Sequence, residues 1–301
     1  MNLYGKLFLS GHWRIGLRRT SQEWPIEYNT PFQTLKGEKG YWYADSLLFE
    51  NDNKHYLFCE AFNEKEQKGE IAVSVLEDGN WSIPQVIISN NYHMSYPCVF
   101  KYGNDIFMIP ESQENNTLEL YKSEAFPFQW KKVANLAEGE KYADATVFGY
   151  NEELYIITYK SKERNAILFK LSIPDYTIKQ IKDIHYTDNI GRPAGTIIRV
   201  ENKVYRPSQD CRNTYGERVL WNKMIFDGGY EEVNLIDEID NKNVLIEGKK
   251  GVDKIHTFSR AGSYEAIDYY VYTFDLLKRV KIMWHHHKRD NRISKRKGAS
   301  L

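Results

Sequence analysis

Two aspartates sit inside copies of one phrase: Tyr43-Ala44-Asp45-Ser46-Leu47-Leu48-Phe49 and Tyr142-Ala143-Asp144-Ala145-Thr146-Val147-Phe148. Weaker copies fall at Ser95-Tyr96-Pro97-Cys98-Val99-Phe100 and Arg192-Pro193-Ala194-Gly195-Thr196-Ile197-Ile198. A second apolar run follows each copy after a short polar turn, and three of these runs end on polar groups: Glu60, Glu111 and Gln209-Asp210. Carboxylates gathered on one rim shift each other's pKa values, which suits acid–base work on a glycosidic or phosphoryl centre. The alternative for each is structural: capping a strand end or binding backbone amides. Arg192 and Arg206 suggest a different task, because a guanidinium grips phosphate or carboxylate bidentately. For Arg192 the structural alternative is an ion pair with Asp144 or Glu111.

These residues are far apart in sequence, so the elements must gather them. Hairpin repeats at a period of about fifty residues are the mark of propeller blades. The predicted fold is all-β, a five-bladed β-propeller of four-stranded antiparallel blades, with blades near 41–88, 90–136, 142–184, 191–239 and from 255 through 272. The start of a blade's first strand and the end of its second share one face of the disc. That places Asp45, Asp144, Arg192 and His256 on the same rim as Glu60, Glu111, Gln209 and Asp210. Tyr96, in the second copy of the phrase, joins the expected ligand-binding set. Asp268 lies mid-strand, between Ile267 and Tyr269, as an axial residue or a seam hydrogen bonder. The fifth blade lacks a strand, and His12-Trp13-Arg14-Ile15-Gly16-Leu17-Arg18 can supply it, closing the ring and removing a sheet edge. Residues 1–284 read as one propeller domain and 285–301 as a basic, flexible tail.

With 41 basic and 41 acidic residues, the chain has no overall field drawing it to nucleic acid. The basic residues of 278–298 surround His285-His286-His287; they read as a solvated tail or as a contact with anionic lipid at the inner face of a membrane. Aromatic residues make up 14%, with 22 Tyr and 7 Trp, serving as strand and seam packing or as platforms for sugar rings. Cys59, Cys98 and Cys211 show no metal-type spacing and read as buried thiols rather than disulfides. The N-terminus lacks a secretory pattern and no segment is long and apolar enough to span a bilayer, so a cytoplasmic location is expected. Neither a nucleotide-binding loop nor a zinc motif occurs, and no metal or cofactor is expected.

The phrases Trp42-Tyr43-Ala44-Asp45, Ser95-Tyr96-Pro97, Ile109-Pro110-Glu111-Ser112, Ala143-Asp144-Ala145-Thr146-Val147-Phe148 and His256-Thr257-Phe258 carry a resemblance. In order and spacing the chain resembles the propeller domain at the N-terminus of plant glucosamine inositolphosphorylceramide transferases and its bacterial polysaccharide-cluster relatives. More distantly it is similar to glycoside hydrolase family 43. The resemblance to the hydrolases implies that Asp45 matches their general base and Asp144 the aspartate that tunes the acid. Their acid is a glutamate on the opening strand of blade four, where this chain reads Gly191-Arg192-Pro193-Ala194-Gly195-Thr196. An inverting hydrolase needs two carboxyl groups ~6.5–9.5 Å apart, so Glu111 or Asp210 would have to replace the missing one. A phosphate leaving group needs no strong acid. The expected function is therefore sugar transfer from a phosphate-bearing donor during cell-surface polysaccharide or glycoconjugate assembly. Asp45, Asp144 and Glu111 would be catalytic, and Arg192, Arg206, His256, Glu60, Gln209, Asp210 and Tyr96 would hold the ligand. A non-catalytic glycan-binding module, or partner of a glycosyltransferase, and a hydrolase with a relocated acid are the alternatives.

Overall fold

Short apolar runs separated by polar turns fold into successive antiparallel hairpins, and the hairpins stack as five blades around one axis. The computed structural model describes residues 9–22, 27–160, 162–226 and 229–274. The basic run at 278–298 and the expected tail from 285 lie outside them. Blade one comprises Tyr41–Asn51, Lys54–Asn63 and Lys68–Glu77, with Asn80–Trp81 and Gln85–Ile88 both pairing with the third strand. Blade two is Ser95–Tyr102, Asp105–Ser112, Thr117–Ala125 and Gln129–Glu138. Blade three is Ala143–Tyr150, Glu153–Lys160, Asn165–Ser172 and Thr177–His185. Blade four is Ile198–Val200, Lys203–Asp210, Arg218–Ile225 and Glu231–Glu238. Blade five begins with Phe258–Ala261 and Tyr264–Phe274, and the N-terminal strand Leu9–Arg19 then pairs antiparallel with Tyr264–Phe274, Trp13 opposite Tyr270. Gln33–Thr34 completes it, so the N-terminal segment contributes two strands where one was expected.

Neighbouring blades cover both faces of each inner sheet, which is why the second strands are continuous apolar runs rather than alternating ones. In Lys54–Asn63, for example, the run from Tyr56 to Ala61 is buried throughout. The outer strand Thr177–His185 has one covered face and is mostly exposed. The inner hairpins of blades one, three and four turn through two left-handed residues each, Asp52-Asn53, Asn151-Glu152 and Glu201-Asn202. That is the turn handedness that matches strand twist.

The recurring phrase is a bulge. Pairing slips between Ala44 and Leu47, Ser95 and Cys98, and Ala143 and Thr146. The left-handed residues there are Asp45 (φ 52°), Tyr96 (φ 45°) and Asp144 (φ 51°), and Gly195 takes φ 130° at the corresponding place in blade four. At Gly195 a Cβ would lie 1.7 Å from the Phe258 carbonyl oxygen, so only glycine fits against blade five. Bulges of this kind turn a side chain out of the alternation and toward a site.

Candidate functional site

Each bulge turns its backbone N–H toward an acceptor from another blade. Asp45 donates to Asp268 Oδ2 (2.9 Å), Tyr96 to Asp45 Oδ2 (3.2 Å), Asp144 to Glu111 Oε2 (3.0 Å) and Gly195 to Tyr96 Oη (2.6 Å). The carboxylates thus join the blades as well as marking the axis, and the structural reading of Asp45 is met by its hydrogen bonds. Glu60 and Glu111 lie toward the ends of the second strands of their blades, opposite Ala44 and Ser95 respectively. In blade three the same position, opposite Ala143, is Tyr159.

Above the bulges lies an open funnel of about 660 Å³, into which Asp45, Glu60, Glu111, Arg192 and His256 project together. Its wall adds Trp13, Trp42, His93, Lys141 and Tyr215. At the floor, His256 Nδ1 lies 2.6 Å from Asp268 Oδ2 and its Nε2 lies 3.3 Å from Asp45 Oδ1. Asp268 also accepts the backbone N–H groups of His256 and Thr257 on Oδ1. The Trp13 ring stacks on the imidazole with centroids 4.0 Å apart and Tyr215 meets it edge-on. The line Asp268–His256–Asp45 is therefore fixed in orientation and sheltered from water.

Burial, with Asp144 and Asp268 nearby, pushes the Asp45 carboxyl up to about 7 despite the opposing pull of His256. Burial would lower the His256 pKa, but Asp268 and Asp45 outweigh it and hold the ring toward its protonated form. Burial also raises Glu60, helped by the charge on Asp45. Gly69 N–H donates to His93 Nδ1, which leaves Nε2 as the N–H that faces Glu60 Oε1 at 3.2 Å.

Arg192 reaches across from the loop before blade four. Its Nε and Nη2 bind both oxygens of Asp144, Nη2 lies 3.2 Å from Glu111 Oε2, and its Cζ sits 5.3 Å over the Tyr215 ring. Gln113 donates to the other Glu111 oxygen (2.5 Å). The Arg192 guanidinium is thus the ion-pair partner of two carboxylates through Nε and Nη2, as its structural alternative had it, while the residue still lines the funnel.

Several expected ligand contacts lie elsewhere. Arg206 is buried within blade four, bound to Glu232, Tyr186 and the Gly191 carbonyl. The blade's own seam needs its charge, and it does not line the funnel. Asp210 turns aside to Arg212 and Arg218. Gln209 stands behind Asp144, donating to its Oδ2 (2.8 Å) and to the Pro193 carbonyl. Tyr96 plugs the axis below the funnel, its hydroxyl bonded to Thr146. Asp144 is buried beneath Arg192. Asp268, open in the sequence between an axial and a seam role, takes both, whereas Trp13 and His93 are site residues that their sequence context does not mark. The ring closure carries Trp13 to blade five, and this was the one signal that could have found it.

Asp45, His256 and Asp268 are a group of His and carboxylate donors that lie within 4.8 Å of one another. Because Asp268 already accepts three backbone N–H groups and touches His256, a cation here would have to break that line.

Residues 17–258 match the family model described as glucosamine inositolphosphorylceramide transferase 1, N-terminal. The chain belongs to this family. It is similar to glucosamine inositolphosphorylceramide transferase 1 of Oryza sativa subsp. indica, 28% identical over 214 residues, and of Arabidopsis thaliana, 27% identical over 222 residues. The matches cover 66% and 69% of this chain but only 29% of each plant protein. Among solved structures it resembles an exo-β-1,3-galactanase from Clostridium thermocellum, with a TM-score of 0.56, 11% identity, and coverage of 85% of this chain and 62% of that one. A family 117 glycoside hydrolase of Zobellia galactanivorans gives a TM-score of 0.51 at 11% identity, covering 88% of this chain and 91% of that one. At these identities the likeness is one of fold.

Proposed function

We propose that the axial funnel transfers a sugar from a phosphate-activated donor onto a glycoconjugate acceptor, with Asp45 as the general base. The observation that carries this is the Asp268–His256–Asp45 line at the funnel floor, with the Asp45 carboxyl at about 7. A base poised near the working pH removes a hydroxyl proton most effectively. Glu60, raised by burial and facing His93 across 3.2 Å, would give a proton to the leaving side. With Arg192 committed to Asp144 and Glu111, the donor's phosphate falls to Lys141. That lysine lies where the funnel meets a cleft between blades two and three, which also holds Lys162 and Glu163 and the ion pair of Lys160 with Glu140. The family relationship supports sugar transfer as the activity class.

A second reading rests on length. The plant relatives extend far beyond the matched 29%, so transfer there can reside in another region while the propeller presents the glycan. Turnover measured with a panel of nucleotide sugars and sugar 1-phosphates separates the two. Under the transfer reading, Asp45→Asn lowers turnover roughly 10²–10⁴-fold and leaves the ligand-induced rise in melting temperature intact. Full activity in that variant would refute the assignment of the base. Glycan binding by the wild-type protein without turnover of any donor would favour the binding module.

A further inference from the structure

Beside the funnel lies a second hollow of about 290 Å³, between the N-terminal strand of blade five and the opening strand of blade one. Trp13 and Trp42 line both spaces, so the two adjoin at these indoles. The hollow is built from aromatic faces. Tyr41 and Tyr43 stack with centroids 6.4 Å apart, and Trp42 is backed by Phe62 at 4.4 Å and 11° between planes. Its shape is set by the backbone as well. A Cβ on Gly37 would come within 2.4 Å of the Tyr43 ring, and the Tyr43 hydroxyl accepts the Glu38 N–H at 3.2 Å. The Gly37-Glu38 turn is thereby pinned against the aromatic floor.

Charge decides what kind of ligand fits. The hollow's full charges are Arg14 and Glu38, one of each sign, with His12 beside them. The adjoining funnel carries Asp45, Glu60, Glu111 and Glu114, and the guanidinium of Arg192 is already divided between Asp144 and Glu111. With Glu38 offsetting Arg14 and Glu114 on the adjoining wall, this side offers no net positive charge to hold an acidic ligand. Aromatic platforms with a few polar groups at their edges are what a neutral sugar ring requires, apolar face on the indole and hydroxyls to the side chains.

We infer that this hollow is a second sugar subsite, and that the acceptor is a neutral glycan of at least two rings, one at the Asp45 floor and the next between Trp42 and Arg14–Glu38. The inference deepens the sugar-site reading and rests on it. It also gives the funnel two sides, an aromatic one for the acceptor and a lysine-bearing one for the donor.

The test is calorimetric titration of the full chain with mono- to tetrasaccharides of neutral gluco-, galacto-, manno- and N-acetylglucosamine series, with galacturonic-acid oligomers alongside. For at least one neutral series, the second ring should raise affinity at least tenfold. The double variant Arg14→Ala/Glu38→Ala should erase that gain and leave monosaccharide affinity unchanged; its changes lie at solvent-facing side chains. Trp42→Ala provides an independent check on the same gain. Equal affinity for one ring and for longer chains, survival of the gain in both variants, or preference for the acidic series overturns the subsite while leaving the funnel as a sugar site. Failure of every saccharide of every length to bind overturns the sugar-site reading itself and the subsite with it.

Discussion

Arg206, inside blade four, and Arg192, on the loop leading into it, both bind carboxylates in buried surroundings, but in different proportions. Arg206 is fully enclosed and faces one carboxylate, Glu232, at 2.6 Å, its other donors going to the Tyr186 hydroxyl and the Gly191 carbonyl while the Tyr230 hydroxyl donates to Glu232. Its charge is matched and its donors are used. Arg192 faces two carboxylates, Asp144 and Glu111, with Asp45 and Glu60 close enough to influence them. Negative charge is in excess there, and the excess lies where the funnel opens. Paired charge inside a seam serves the fold, whereas unmatched charge at a cavity floor is maintained at a cost in stability and keeps protons mobile.

The largest effect expected from this contrast is at Arg206. Arg206→Met strands Glu232 in the seam and should cost roughly 3–5 kcal/mol, read from the denaturant midpoint. The remaining folded protein should still bind ligand as before. Arg192→Met should cost less, about 2–3 kcal/mol at pH 8, since its side chain is partly open to water. The deficit should shrink toward pH 5, because carboxylates left without their cation take up protons. Turnover should fall with it. If Arg192→Met proved as costly as Arg206→Met at every pH and left turnover untouched, the two clusters would be of one kind.

Much of this architecture could be read from the repeated phrase. The strand-hairpin period fixed five blades, the His12–Arg18 segment closed them, and the shared face of strand starts and ends brought Asp45, Glu60, Glu111 and His256 together. Arg206 failed that reasoning because a second strand is buried on both faces. Alternation along Val204-Tyr205-Arg206-Pro207 does not say which face meets a seam, and Glu232 belongs to the outermost strand. Asp210 failed for a similar reason, since Arg212, just beyond the strand end, and Arg218, opposite it at the start of the next strand, capture it. Asp268 stayed ambiguous because its partners are backbone N–H groups, one released by the bulge at Asp45 and two from His256 and Thr257 just before a strand, and none of these is visible as a residue type.

A smaller effect tests the funnel side of the comparison directly. Asp45 has a folded pKa of about 7 against an ordinary 3.8, so the folded state holds this proton more tightly than the unfolded chain does. Stability from this group is therefore greatest in acid and is lost as pH rises from about 4 to 7. His256, also raised, acts in the same direction: its contribution is present below its ordinary value and disappears as pH rises through the folded one. Asp45→Asn has no such proton to lose. It should flatten the stability profile between pH 4 and 7 and be more stable than the wild-type protein above pH 7, by roughly 1–2 kcal/mol. Removing the carboxylate also withdraws one of the charges that raise His256, so the variant's remaining slope should move to lower pH. Parallel stability profiles for wild type and variant would mean that Asp45 is already ionised well below neutrality. The charge excess would then lie with the Arg192 cluster alone, and the base would have to be sought there.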